Sequence, residues 1–151
     1  MIRRMTEDDL ERVVDLESQS FSDPWSLNVY RDTLKIDGVI YLVYETEDNI
    51  VAVAGVRNIA GDGEITNVMT DRQYRGRGIA SALLEELIKA GRQIGVHDFT
   101  LEVRAGNQHA INLYEKLGFV SEGVRPDFYS HPKEDALIMW MREASTQSGR
   151  V

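Results

Sequence analysis

Three arginines and two glycines crowd the stretch "RQYRGRGIA", with Arg72, Arg75 and Arg77 interleaved with Gly76 and Gly78 just before an amphipathic helical pattern. Glycines at a strand-to-helix junction let backbone N–H groups turn toward one point, and the helix N-terminus adds partial positive charge there. The chemistry is that of an anion site, with phosphate its usual occupant. Arginines in the same loop supply further donors for phosphate oxygens. A solvated basic loop that happens to precede a helix has the same residues, so both readings stand on this stretch alone. Two other phosphate signatures are absent, G-x-x-x-x-G-K-[ST] and G-x-G-x-x-G with a downstream ribose carboxylate.

The elements that must position this loop follow from periodicity. A strand is expected over Ile2–Met5, then a helix capped by Thr6 with Asp9 three residues on, its inner face carrying Leu10, Val13, Val14 and Leu16. "SDPWS" breaks it, and Ser26 caps a second helix through Leu34. "VIYLVYE" and "IVAVAGVRNI" read as strands around the turn "TEDN", and "GDG" leads to a third strand, Glu64–Thr70. After the loop, Ile79, Leu83, Leu84, Leu87, Ile88 and Ile94 share one helical face. "DFTLEVR" alternates, with Phe99, Leu101 and Val103 on one side and Thr100, Glu102 and Arg104 on the other. "GNQHAINLYEKLGF" reads as a capped helix that Gly118 stops. "FVSEGVRPDFY" and "DALIMWM" are two final strands around "SHPKE". The order is β-α-α-β-β-β-α-β-α-β-β, an α+β pattern.

A length of 151 residues, with 42% hydrophobic and 28% charged residues, suits one domain with one polar tail, expected over 143–151 after a domain of 1–142. No apolar run reaches the roughly 20 residues that span a bilayer, and no signal peptide is apparent, so a cytoplasmic protein with no membrane partner is expected. Cysteine is absent, which excludes disulfides, a thiolate nucleophile and Cys-ligated zinc. His97, His109 and His131 lack metal-ligand spacing, and no metal is expected. The net charge of −8 speaks against nucleic-acid binding through phosphates.

"RGRGIA" (Arg75 to Ala80) matches the [QR]-x-x-G-x-[GA] signature of the GNAT superfamily of acetyl-CoA-dependent N-acetyltransferases, and the element order resembles that fold from end to end. The resemblance implies a central mixed, twisted sheet of about seven strands flanked by about four helices. "LEVRAGNQHAINLYEKLGF" is similar to the same stretch of the RimI-type ribosomal-protein-alanine N-acetyltransferases. "FSDPW" and "RPDFY…EDALIMW" resemble that group's substrate loops, with Phe128 where the group's Tyr-Tyr pair would begin.

The resemblance implies direct attack of an amine on the acetyl thioester of acetyl-CoA, in keeping with the absence of cysteine. It assigns the cofactor to Arg75, Gly76, Arg77, Gly78, Ile79, Ala80 and Ser81, with Asn107 and Tyr114 in contact with it. Backbone N–H groups of Val68, Met69 and Thr70 would polarise the thioester carbonyl. Glu102 matches the base. An α-amine of pKa about 8 and an unshifted Glu of about 4.3 differ by roughly 5 kcal/mol in proton affinity. Glu102 therefore has a raised pKa or acts through a water while orienting the amine. Tyr114 matches the acid that meets the leaving sulfur. As plain structure, Glu102 is a solvent-facing strand residue, Tyr114 a core aromatic, and Asn107 an N-cap.

The same resemblance implies that Phe21, Pro24, Trp25 and Tyr129, with Glu102, line a groove for the N-terminal segment of a protein, such as a ribosomal protein. At pH 7 about a tenth of α-amines are already neutral, far more than of lysines, which favours an N-terminal amine. Two alternatives remain at this point, a GNAT enzyme for a small-molecule amine and a non-catalytic acyl-CoA-binding module.

Overall fold

The computed structural model describes residues 1–47 and 49–143. Seven strands are present: β1 (Ile2–Arg4), β2 (Val39–Thr46), β3 (Asn49–Ile59), β4 (Asp62–Thr70), β5 (Asp98–Arg104), β6 (Val120–Ser130) and β7 (Lys133–Met141). The four α-helices are α1 (Leu10–Ser20), α2 (Leu27–Thr33), α3 (Ile79–Gln93) and α4 (Gln108–Leu117). The strands form one sheet in the order β1-β2-β3-β4-β5-β7-β6, antiparallel throughout except where β4 meets β5. The mixed α+β architecture is the one expected.

Alternation along the central strands sends apolar side chains to both faces. Ile40 and Leu42 of β2 join α3 and α4 in one core with Leu83, Leu84, Phe99 and Tyr114. Tyr41 and Val43 join α1 and α2 on the other face with Leu10, Val13 and Tyr30. The helices thus cover both faces of the sheet.

Local signals act largely as expected. Ser26 Oγ accepts the Val29 N–H at 3.3 Å, and Asn107 Oδ1 accepts the Ala110 N–H at 3.2 Å. Gly118 stops α4 at φ +107°. The Asp9 carboxylate accepts the Thr6 N–H at 2.8 Å, but this box opens a 3-10 turn over Glu7–Asp9, with α1 beginning after it. Ile94 departs from its expected place. α3 ends at Gln93, and Ile94 closes the helix while remaining exposed. The hairpin between β3 and β4 turns at Ala60–Gly61, both at positive φ, so Gly63 lies inside β4. Arg142, at the end of the expected domain, and Glu143, at the start of the expected tail, are both held by hydrogen bonds. Arg142 donates to Glu122, and the Glu143 N–H donates to Asp98 Oδ1 at 2.8 Å. The rest of the expected tail, and Asp48 in the "TEDN" turn, lie outside the described residues.

Two irregularities shape the sheet's middle. β4 and β5 pair only from Asp62–Glu64 to Asp98–Thr100, after which the strands part. Opposite β3, Thr66 faces Gly55 and Met69 faces Val53, so β4 carries one extra residue there, with Asn67 at φ +55°. The bulge sends Ile65 and Met69 to opposite faces, although their spacing of four would place them on one.

Candidate active site

Two clefts lie along β4, one on each side of the bulge. The first, of about 390 Å³, is lined by Thr70, Arg75, Gly76, Gly78, Ile79, Ala80 and Ser81, and by His109, Asn112, Leu113 and Lys116 of α4. Gly76 and Gly78 both sit at φ +76°, and a Cβ on either would meet nothing within 4 Å. Conformation rather than crowding therefore demands glycine here, and the bare backbone faces open space. The first bond entering α3 runs from the Ala82 N–H to the Gly78 carbonyl, which leaves the amides of Ile79, Ala80 and Ser81 without an intrahelical partner. Arg75 and Lys116 add cationic groups, and no carboxylate among the described residues lines this cleft. A helix N-terminus and two cations give this cleft the chemistry that suits an anion.

The second cleft, of about 590 Å³, brings together Phe21 and Trp25 from the α1–α2 loop, Glu64 to Asn67 of β4, Glu102 and Arg104 of β5, and Phe128 and Tyr129 of β6. Four carboxylates, Glu17, Asp23, Glu64 and Glu102, line it against one cation, Arg104. Tyr129 reaches the cleft because β6 bulges: Arg125 faces Ala136 and Tyr129 faces Glu134, so four steps of β6 oppose two of β7. Arg104 then stacks on the Tyr129 ring at 4.2 Å and donates to Glu134 Oε1 at 3.2 Å.

Glu102 Oε2 is sealed from solvent and has no hydrogen-bond partner among the described residues, with Arg125 Nη1 at 3.5 Å. A buried carboxylate oxygen without a donor is costly in a finished protein and suits a site that receives one. Tyr114 is buried, edge-on to Phe119 with centroids 6.0 Å apart, and burial pushes its phenol up to about 12. Full proton transfer from such a phenol to a thiolate of pKa about 8.5 is roughly 5 kcal/mol uphill. The phenol stays protonated and can donate a hydrogen bond to developing negative charge. Burial, and then the neighbouring Glu102 charge, raises Tyr129 as well.

Some expected residues stand elsewhere. Pro24 is exposed and is not part of the acidic cleft's lining. Arg77 lies over the Tyr74 ring at 4.9 Å and does not line the basic cleft. Val68 and Met69 place their side chains in the two cores, which leaves their backbone for other work. Successive amides of a strand point to opposite edges. Where β4 has left β5, the stretch Val68–Thr70 thus presents an amide to the gap. Asn107 spends its side-chain oxygen on the α4 cap. Sequence reasoning missed His109, Asn112 and Lys116, whose spacing of three and four along one helix was readable, and also Glu17, Asn67, Arg104 and Arg125.

The family model described as the acetyltransferase (GNAT) family matches residues 10–119. The chain belongs to the GNAT acetyltransferase family. This GNAT protein is 33% identical over 135 residues to the [ribosomal protein bS18]-alanine N-acetyltransferase of Escherichia coli K12, covering 87% of this chain and 89% of the relative. It is 31% identical over 144 residues to the protein of the same name in Haemophilus ducreyi, covering 92% and 97%. The crystal structure of the Escherichia coli ribosomal-protein-S18-alanine N-acetyltransferase superposes with a TM-score of 0.85 at 29% identity, over 94% of this chain and 92% of that one.

Membership makes this GNAT protein an acyltransferase, with acetyl-CoA as the acetyl donor. The basic cleft fits that donor. Its free helix amides, bare glycine backbone and carboxylate-free lining with Arg75 and Lys116 meet the chemistry of a pyrophosphate.

Proposed function

We propose that this protein is an N-α-acetyltransferase that moves the acetyl group of acetyl-CoA to the N-terminal amine of a protein, such as the N-terminal alanine of a ribosomal protein. The observation that carries this reading is the pairing of a basic cleft with an acidic one on either side of the β4 bulge. An anionic donor and a cationic amine are drawn to opposite sides of that bulge. The relatives' named activity supports the same substrate. Ribosomal proteins are made in the cytoplasm, which is the compartment this substrate implies.

The bound donor supplies a thioester carbonyl. Glu102, whose Oε2 lies 3.5 Å from Arg125 Nη1, accepts a hydrogen bond from the incoming ammonium and takes up the proton, directly or through a water. The neutral amine nitrogen then bonds to the carbonyl carbon as the C–S bond breaks, and its second proton passes to the departing thiolate, which leaves the neutral amide and the free thiol of coenzyme A. Amides of the Val68–Thr70 stretch stabilise the negative charge on the carbonyl oxygen. Tyr114 donates its hydroxyl hydrogen bond to the departing sulfur. Phe21, Trp25 and Tyr129 flank the peptide, while Gly76 and Gly78 and the amides of Ile79, Ala80 and Ser81 hold the phosphates.

The test is acetyl transfer to short peptides that differ only at residue one, with free lysine and spermidine alongside, for wild type and Glu102→Gln. Peptide turnover that collapses in the variant supports the reading and ranks the substrates. Turnover of the small amines alone overturns it in favour of a small-molecule acceptor.

A further inference from the structure

Leu10, Val13 and Glu17 recur at intervals of three and four along α1, which places a carboxylate on that helix's apolar stripe. Glu17 is 2% exposed. It forms no ion pair with Lys or Arg among the described residues; its partners are three neutral donors. Oε1 accepts the Tyr30 hydroxyl of α2 and, at 3.1 Å, the Asn67 side-chain amide of the β4 bulge. Oε2 accepts the Trp25 N–H of the α1–α2 loop at 3.2 Å. Asn67 Oδ1 in turn accepts the Tyr41 hydroxyl at 2.8 Å. One buried carboxylate therefore joins three separate segments, two of which, Asn67 and Trp25, form walls of the acidic cleft.

A leucine or methionine would fill the same space without the desolvation penalty of an unpaired charge. The carboxylate does what an apolar side chain cannot. It holds Asn67 in its left-handed conformation, at φ +55°, and fixes the loop that carries Trp25 against it. We infer that Glu17 is a positioning residue for the acceptor, setting the distance between the Trp25 wall and the Asn67 wall of the peptide cleft. This rests on the acidic cleft being the peptide site. Both Glu17 oxygens are spent on these three donors, and the basic cleft shares no residue with its network.

Glu17→Gln tests it. Three donors converge on two oxygens, and a carboxamide offers one oxygen and one NH₂ group, so one donor loses its acceptor and one wall is released. The expected result is a peptide KM raised about tenfold, with the acetyl-CoA KM changed less than about twofold. Asn67→Gly is the second variant. It keeps the left-handed backbone and removes both side-chain bonds, and the same split in KM is expected. It decides the matter if Glu17→Gln does not fold. A lowered melting temperature with both KM values unchanged in the folded variants overturns the assignment and leaves the activity intact. Equal rises in both KM values overturn it too. No peptide turnover by wild type overturns the activity reading, and the assignment with it.

Discussion

Arg125 Nη1 stands 3.5 Å from Glu102 Oε2, close enough for attraction but without a hydrogen bond. Arg125 also lies over the Phe128 ring at 5.4 Å, so its guanidinium is held at the rim of the acidic cleft. An incoming ammonium must share Glu102 with that charge. Glu102→Gln is expected to lower kcat about 100-fold while acetyl-CoA binding is retained. Arg125→Gln is expected to lower the peptide KM by about two- to fivefold, less so at high salt. A higher peptide KM in that variant would show instead that Arg125 grips the peptide.

Tyr114→Phe keeps the ring against Phe119 and removes a hydroxyl that has no hydrogen-bond partner among the described residues. Stability should change little, and kcat should fall by about tenfold or more as the leaving sulfur loses its donor. Steady-state rates beside a urea titration check both halves. Unchanged turnover in a folded variant removes the role.

Tyr41 and Tyr114 are both pushed by burial to about 12, against an ordinary phenol of about 10. Both are buried, so the fold favours their protonated forms. The resulting stability is whole below about pH 10, where the unfolded chain is protonated as well, and is lost as pH rises toward about 12. Urea midpoints measured from pH 8 to 12 should fall above about pH 10, and fall less in Tyr114→Phe. A midpoint that stays level to pH 12 contradicts the burial effect.

Gly78 caps α3 at φ +76° with open space where a Cβ would stand. Gly78→Ala meets no clash, but a left-handed L-residue costs roughly 1–2 kcal/mol, which the loop relieves by moving its amides. The acetyl-CoA KM should rise about five- to tenfold with the peptide KM unchanged, read from initial rates with each substrate varied.

Gly55 pairs with Tyr41 across β2 and β3, and a Cβ there would come within 2.3 Å of the Tyr41 ring. That ring is buried in the core and cannot yield. Gly55→Ala is expected to cost about 1–3 kcal/mol and lower the melting temperature by about 3–10 °C in a thermal scan. The Asn67 bulge should loosen too, because the Tyr41 hydroxyl is one of its anchors.

Local periodicity carried the order of strands and helices, the caps at Ser26 and Asn107, the stop at Gly118 and the glycine loop. Each depends on residues within a turn or two of one another. Glu102 was legible by strand alternation, but its sealed oxygen and its neighbour Arg125 were not, since β6 and β5 are separated by β7 in the sheet. Glu17 was legible in principle, as a carboxylate on an apolar stripe. Ile94 misled because periodicity does not show where a helix ends.

The site itself belongs to long-range register. Nothing in "EITNVMT" announces that Asn67 takes a left-handed turn, because the bulge exists only where β4 must match β3 residue by residue. The parting of β4 from β5 likewise needs both strands in place. Short-range chemistry chose the helices, strands and phosphate loop, since backbone propensities and capping act between near neighbours. Tertiary packing alone set the two clefts of opposite charge on either side of β4, because their walls come from residues as far apart as Glu17 and Tyr129.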